Sequence, residues 1–327
     1  MFAFIIARLL QSIPVLLAVA FISFAMFAYV GDPVTAMLGQ DFTEAQRIAV
    51  THALGLDQPF FVQYLRFLWH ALHGDFGLSY RLARPVSELI LERLPATAEL
   101  SLTAAFLALL IGVPMGVYTG IRRTSPISRM FMIFSLVGVS LPTFLIGILL
   151  ILVFAVLLGW LPSFGRGDVV HFSHWSTGFL TISGLKSLIL PAITLGLFQM
   201  TLIMRLVRAE MLEVLRSDYI KFARARGLSQ RAINYGHALK NTLVPVITIV
   251  GLQLGGLLAF SIVTETVFQW PGMGLLLVQS IGVADIPVMS AYLMLIAVVF
   301  VVINLIVDLL YYVVDPRLRI GRRGAAR

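Results

Sequence analysis

Of the chain's 327 residues, 59% are hydrophobic and 12% charged, where a soluble domain carries about a quarter charged residues; with a mean hydropathy of +0.95, a water-soluble globule is excluded. Cysteine is absent, which removes disulfides, thiolate metal sites and cysteine nucleophiles together. The 24 Lys+Arg against 16 Asp+Glu give a net charge of +8, compatible with nucleic acid or with a membrane surface until the charges are placed.

Apolar runs long enough to cross a bilayer, about 20 residues each, and charge-free but for Asp308 in the last, predict six transmembrane helices: Leu9 to Val30, Leu100 to Ile121, Met130 to Leu158, Leu188 to Met204, Leu243 to Val263 and Met289 to Val314. The first run exceeds the about 7–15 residues of a signal-peptide core and ends without a small-x-small cleavage site, so it reads as an uncleaved anchor. Residues 31–99 form an external segment. Within it Thr43 to Leu54 reads as a helix with Thr43 as N-cap. The run Pro59 to Leu72, with Phe60, Phe61, Tyr64, Phe67 and Trp69, reads as an amphipathic helix at the outer interface or an external cap on the bundle. Pro114, Pro142 and Pro191 each remove a backbone donor and predict local bends. Residues 205–241 are too polar to cross, and 316–327 form a basic tail.

With the N-terminus inside, the inner segments hold 17 of the 24 Lys+Arg: one before the first span, three between the second and third, eight between the fourth and fifth, and five after the sixth. This is the bias of cytoplasmic loops. The basic charge is therefore a topology signal, with both termini cytoplasmic, and nucleic-acid binding is the weaker explanation.

The span cores lack the ionisable groups that mark ion or proton pathways. Glu99 and Glu265 fall at outer span ends, and Asp308 falls near the inner surface within reach of Arg317 or Arg319. This speaks against an ion-coupled carrier. No serine–histidine or paired-aspartate arrangement within the spans supports a hydrolase, so no catalytic residue is assigned. His70 and His73, or His171 and His174, are spaced for a metal but lack a third ligand, and no metal site is assigned. The three lysines follow Leu185, Ile220 and Leu239, whereas a phosphate-binding loop sets its lysine after glycine. If ATP drives this protein, a partner binds it. Gly112, Gly116 and Gly120, and Gly251 with Gly255, form small-x-x-x-small steps that pack either within the chain or against a second subunit. Gln199, Gln253 and Asn304 serve as interhelical glue or line a path.

Between the fourth and fifth spans, Asp218 reads as an N-cap, Tyr219 to Arg226 as a short helix with small Ala223 and Ala225, and Gly227 as a terminator at positive φ. Such a helix suits a groove on another protein, or lies on the inner leaflet through Lys221, Arg224 and Arg226. Beyond it lie Leu228 and, further on, Pro245.

Here the sequence resembles the inner-membrane permeases of bacterial ABC importers, in the dipeptide, oligopeptide and nickel branch. Lys221-Phe222-Ala223-Arg224-Ala225-Arg226-Gly227 occupies the place of that family's cytoplasmic EAA-type motif, with Lys221 and Phe222 where Glu and the first Ala would stand. The likeness extends through Ala7-Arg8-Leu9-Leu10, Gly31-Asp32-Pro33, Gly74-Asp75-Phe76-Gly77-Leu78-Ser79, Ser140-Leu141-Pro142-Thr143-Phe144, Leu190-Pro191, Thr264-Glu265-Thr266-Val267-Phe268, Trp270-Pro271-Gly272-Met273-Gly274 and Asp315-Pro316-Arg317. It implies an all-α integral membrane subunit of type I importer kind with a six-helix bundle. It also implies a homologous second permease, two cytoplasmic ABC ATPases that hold the ATP and Mg, and a periplasmic solute-binding protein; this chain itself binds no cofactor. Tyr219, Lys221, Ala223, Arg224, Ala225, Arg226, Gly227 and Leu228 would form the ATPase-coupling loop. Gln199, Gln253, Glu265 and Trp270 would line the translocation path or outer gate, Glu265 and Trp270 alternatively anchoring the outer turn. The expected cargo is di- or oligopeptide, the alternatives being nickel or an opine, or, in a different class, an ion-coupled secondary transporter.

Overall fold

The structure, a computed structural model, describes residues 2–29, 33–38, 42–173 and 175–314. Gly31, Asp32, His174, Asp315, Pro316 and the arginines of the tail, Arg317 and Arg319 included, lie outside the described residues. Twelve α-helices are described: α1 (Phe2–Tyr29), α2 (Pro33–Leu38), α3 (Glu44–Leu54), α4 (Phe60–Leu72), α5 (Val86–Ile121), α6 (Pro126–Ser140), α7 (Thr143–Leu150), α8 (Ile182–Val214), α9 (Asp218–Ala225), α10 (Leu239–Val267), α11 (Met273–Ile281) and α12 (Ile286–Val314). A short antiparallel hairpin, β1 (Val170–Phe172) with β2 (Trp175–Thr177), sets Val170 opposite Thr177.

Four helices, α1, α5, α8 and α12, are each long and apolar enough to cross a membrane unbroken. The other two expected spans are bent pairs. The third breaks between α6 and α7, whose axes, with the π-helical turn Ile151–Leu157 continuing α7, differ by 109°. The cause is Pro142, which forces the preceding Leu141 into extended backbone (ψ 135°) and so ends α6. The fifth bends by 45° between Pro245–Gly251 and Gly255–Val267. Neither Pro114 nor Pro191 interrupts its helix. Helical backbone also outruns hydropathy. α5 begins at Val86, inside the expected external segment, and α8 continues past Met204 to Val214, inside the expected loop.

The chain divides into two compact units, with two of the divisions falling inside α5 and α12. One comprises Met1–Thr97, Val170–Thr177 and Pro271–Val301; the other comprises Ala98–Val169, Gly178–Trp270 and Val302–Arg327.

In the first unit, α3 starts as its sequence dictates: Thr43 Oγ1 accepts the N–H of Gln46, whose side chain accepts the N–H of Thr43, and Gly55 closes the helix at φ 68°. The amphipathic α4 lies on α1. Phe24 packs its ring against Phe60 at 5.1 Å and Tyr64 at 5.5 Å, and Tyr64 Oη donates to the Leu17 carbonyl at 3.1 Å. Ser290 Oγ of α12 donates to the Ser23 carbonyl of α1 at 3.2 Å. Thr97 Oγ1 accepts the Met273 N–H at 2.8 Å, satisfying one of the orphan donors that open α11.

The second unit is built on α8. Its span is 72% buried, against 6% for α1 in the first unit. The glycine stripe of α5 seats on it, as the in-chain reading expects. A Cβ at Gly112 would lie 2.8 Å from the Met200 carbonyl oxygen, one at Gly116 2.6 Å from Val207 Cβ, and one at Gly120 2.7 Å from Met211 Cβ. Gly138 of α6 approaches Thr201, and Gly147 of α7 approaches Thr194 and Phe268. Gly251 of α10 closes on Val307. Small residues thus let backbones approach where no hydrophobic force drives helices together in lipid.

Candidate functional site

The polar stretch between α8 and α10 folds into a compact elbow. Helix α9 starts one residue earlier than the sequence suggests. Ser217, not Asp218, is the N-cap, in extended conformation (ψ 155°), but its hydroxyl donates back to the Val214 carbonyl at 2.6 Å instead of capping. Asp218 takes the first helical position, where a carboxylate meets the positive end of the helix dipole. The hydrogen bond and charge of Lys221, whose Nζ lies 2.7 Å from Oδ1, hold its carboxyl below the usual carboxylate range.

The C-terminus is a Schellman motif: the Gly227 N–H donates to Arg224 O at 2.9 Å and the Leu228 N–H to Ala223 O at 3.3 Å. That geometry needs the left-handed conformation, and Gly227 supplies it at φ 77°. A Cβ there would meet nothing within 4 Å, so the glycine is required by its backbone angle, not by crowding.

Position along α9 decides which side chains face inward. Ile220 and Ala223, three apart and therefore on one face, are buried at 0% and 6% exposure in a cluster with Val207, Met211, Ile233, Ala238 and Val246. Tyr219 Oη donates to the His237 carbonyl at 3.0 Å, tying α9 to the π-helical turn Ala232–Ala238. Thr242 Oγ1 donates to the Ala238 carbonyl at 3.0 Å and lies 3.2 Å from Met211 Sδ. The opposite face carries Lys221, Phe222, Arg224, Ala225 and Arg226, followed by Leu228, all exposed. The Arg226 guanidinium lies over the Phe222 ring at 5.8 Å. The loop residues expected to act together are brought together, except that the Ala223 side chain faces its own bundle while Phe222 and Ala225 face outward.

The four residues expected along a path or gate lie on α8, on α10 and in the turn after α10. Gln199 is buried on α8, and its Nε2 has no hydrogen-bond partner among the described residues; Gln253 is half-buried on α10. Glu265 and Trp270 do meet, the Trp270 N–H donating to Glu265 O at 2.8 Å, but their side chains are 0% and 1% exposed. They are the packed interior of the turn after α10 and not an open mouth. Gln269, at φ 47°, turns the chain so that Trp270 folds back.

Two buried carboxylates take partners that the sequence does not name. Glu99 lies within α5 and is ion-paired with Arg166. Asp285, just before α12, accepts the Ser79 hydroxyl at 2.5 Å and the N–H groups of Tyr80 and Arg81 at 3.1 and 3.3 Å. The one signal available was that each is a lone acid beside an apolar run, where an unpaired charge is costly.

Apolar helices, close glycine seams and a polar inter-span elbow define an all-α, multi-pass membrane protein. A chain of the MetNI methionine ABC transporter in an inward-facing conformation superposes over 69% of this chain and 96% of its own with a TM-score of 0.55 at 19% identity, a likeness of fold. The chain belongs to the family of binding-protein-dependent transport system inner membrane components, matched over residues 112–320, with the N-terminal component of such systems matched over residues 1–103. It is 40% identical over 332 residues to the dipeptide transport system permease protein DppB of Alkalihalophilus pseudofirmus, covering 98% of this chain and 100% of that protein. It is 42% identical to the oligopeptide transport system permease protein AppB of Bacillus subtilis, over 97% and 99%, and 39% identical to DppB of Escherichia coli, over 98% and 99%. The protein is thus an inner-membrane transport component of the ABC type.

Proposed function

We propose that the chain is the membrane-spanning half of a peptide importer, carrying di- or oligopeptides inward by alternating access, with its termini and α9 in the cytoplasm. A homologous second permease completes the path. Two cytoplasmic ATPase subunits hold ATP and Mg, and a periplasmic solute-binding protein delivers cargo. The observation that carries this reading is the two-faced α9. Ile220 and Ala223 anchor it to α8 and α10, while Phe222 with Arg226 presents an aromatic and basic surface outward, as a helix that relays force between a motor and a bundle requires. The names of the relatives above favour peptide over nickel or opine cargo, and full-length similarity to such permeases disfavours an ion-coupled carrier.

The test is uptake of a radiolabelled dipeptide by proteoliposomes holding the chain with its genomic neighbours. ATP-dependent accumulation that needs the solute-binding protein is expected; accumulation by this chain alone, driven by an ion gradient, would sink the proposal. Orientation is tested separately. Cysteines at Ser229 and Ser173 should label from opposite sides of the membrane.

A further inference from the structure

Along α8, between α5 and α6, runs a cavity of about 850 Å³ whose lining is apolar. Its walls include Leu107 and Ile111 of α5, Met130 and Phe134 of α6, and Ile189 and Ile193 of α8. From Thr103 to Met115 it follows α5 for about 18 Å at 1.5 Å per residue, slightly more than one leaflet of a hydrocarbon core about 30 Å thick. One end is marked by charge. Arg122, Arg123 and Arg129 sit at the turn joining α5 to α6, all exposed. Arg129 directly precedes the wall residue Met130. The Arg122 guanidinium lies 5.7 Å over the Tyr118 ring, which packs at 6.1 Å against Phe131 of the wall. Further along α8 from the wall, Arg205 Nε donates to Ser135 Oγ of α6 at 3.2 Å. Among the described residues, no salt bridge joins Arg122, Arg123 or Arg129 to an acidic side chain.

An apolar channel one leaflet deep, ending in a cluster of arginines at the surface, has the two parts that recognise an anionic phospholipid. Acyl chains lie along the channel, and the phosphodiester meets the guanidinium groups, the arrangement by which basic pockets between membrane helices hold acidic headgroups. We propose that the groove between α5, α6 and α8 is a binding site for an anionic phospholipid whose headgroup is held by Arg122, Arg123 and Arg129. A helix of a second subunit would match the apolar walls but leave the arginine cluster without a counter-charge. Assignment to the inner leaflet rests on the orientation proposed above; the preference for an anionic headgroup does not.

The full-length chain, purified in detergent and offered equimolar dioleoyl-phosphatidylglycerol and dioleoyl-phosphatidylcholine, would be examined by native mass spectrometry. The expected result is retention of phosphatidylglycerol by about tenfold or more over phosphatidylcholine, the scale set by three surface arginines, and weakened by added salt. The triple variant Arg122→Gln, Arg123→Gln, Arg129→Gln should bind the two lipids equally. Ile111→Trp with Ile193→Trp, which fills the channel and leaves the arginines in place, should lose both. Equal retention by the unaltered chain overturns the proposal without reference to any variant's folding, as does a preference the triple variant keeps. So does crosslinking of a cysteine at Ile193 to another polypeptide in native membranes. Because the reading is made without partners or transport, its failure and a failure of the uptake or labelling experiments are distinct results.

Discussion

Arg166 donates from both Nε and Nη2 to one carboxylate oxygen of Glu99, at 3.0 and 2.6 Å, while the other oxygen accepts the Gly178 N–H at 3.0 Å. The two side chains are 6% and 3% exposed, so one acid pins two separate points of the loop between α7 and α8 to α5. Removing a single partner from a buried pair leaves an uncompensated charge, which costs about 3–5 kcal/mol. Arg166→Leu should therefore sharply lower the thermal midpoint of the detergent-solubilised protein. A fully apolar replacement of such a pair is often neutral, but here Glu99→Leu with Arg166→Leu should remain destabilised by about 1–3 kcal/mol, because the Gly178 N–H loses its acceptor. A double variant as stable as the parent would show that this third bond is immaterial.

Asp285 is held the same way by a different donor set. The Ser79 hydroxyl and the N–H groups of Tyr80 and Arg81 converge on its carboxylate, and the Ser79 oxygen in turn accepts the Leu82 N–H at 3.0 Å. Backbone donors paired with a buried acid are left unsatisfied when it is removed, at about 1–3 kcal/mol each. Asp285→Ala should release residues 79–82 and raise the rate of trypsin cleavage after the exposed Arg81 well above that of Ser79→Ala, which leaves the carboxylate with its two backbone partners. Equal cleavage rates for the two variants would contradict this hierarchy.

Where the governing interaction is local, the sequence announces it. Thr43 with Gln46 is a capping box within one turn, the aromatic spacing of Phe60, Tyr64 and Phe67 is a helix face, and Gly227 ends α9 because only a left-handed residue closes that motif. Hydropathy, by contrast, registers what lipid tolerates, not where backbone hydrogen bonding stops. Glu88, Glu92 and Arg93 interrupt the apolar run before Leu100 without interrupting α5. Glu99 and Arg166 are 67 residues apart and Ser79 and Asp285 206 apart, so nothing in the neighbourhood of either acid names its partner. The two faces of α9 were legible only in part. Small Ala223 and Ala225 suggest close approach equally, and only the packing of Ile220 beside Ala223 decides which alanine points inward.

That difference separates stability from coupling. Ala223→Glu places a carboxylate among Val207, Met211 and Ile233, where an unpaired charge is not tolerated, and should lower both the thermal midpoint and the yield of inserted protein. Phe222→Asp changes a side chain that is 64% exposed, so the midpoint should hold within about 0.5 kcal/mol of the parent, while cargo-stimulated ATPase activity of the assembled transporter falls severalfold. If Phe222→Asp kept full stimulation, the outward face would not be the contact with the motor.

Gly116 tests how tightly α5 is seated on α8. A Cβ there would lie 2.6 Å from Val207 Cβ and 2.7 Å from the Met204 carbonyl oxygen, and the second of these belongs to backbone that cannot rotate away. Within a helix, alanine is intrinsically preferred to glycine by about 1 kcal/mol, yet overpacking of this kind costs about 1–3 kcal/mol. The steric term should win, and Gly116→Ala should melt at a lower temperature than the parent. Gly236, where an added Cβ would meet nothing within 4 Å, is the internal control: the same substitution there adds a methyl group without displacing anything and should leave the midpoint unchanged or raised. A Gly116→Ala variant that melts no lower than Gly236→Ala would mean that the two helices separate freely enough to admit a methyl group, and that the seam is not a fixed contact of the fold.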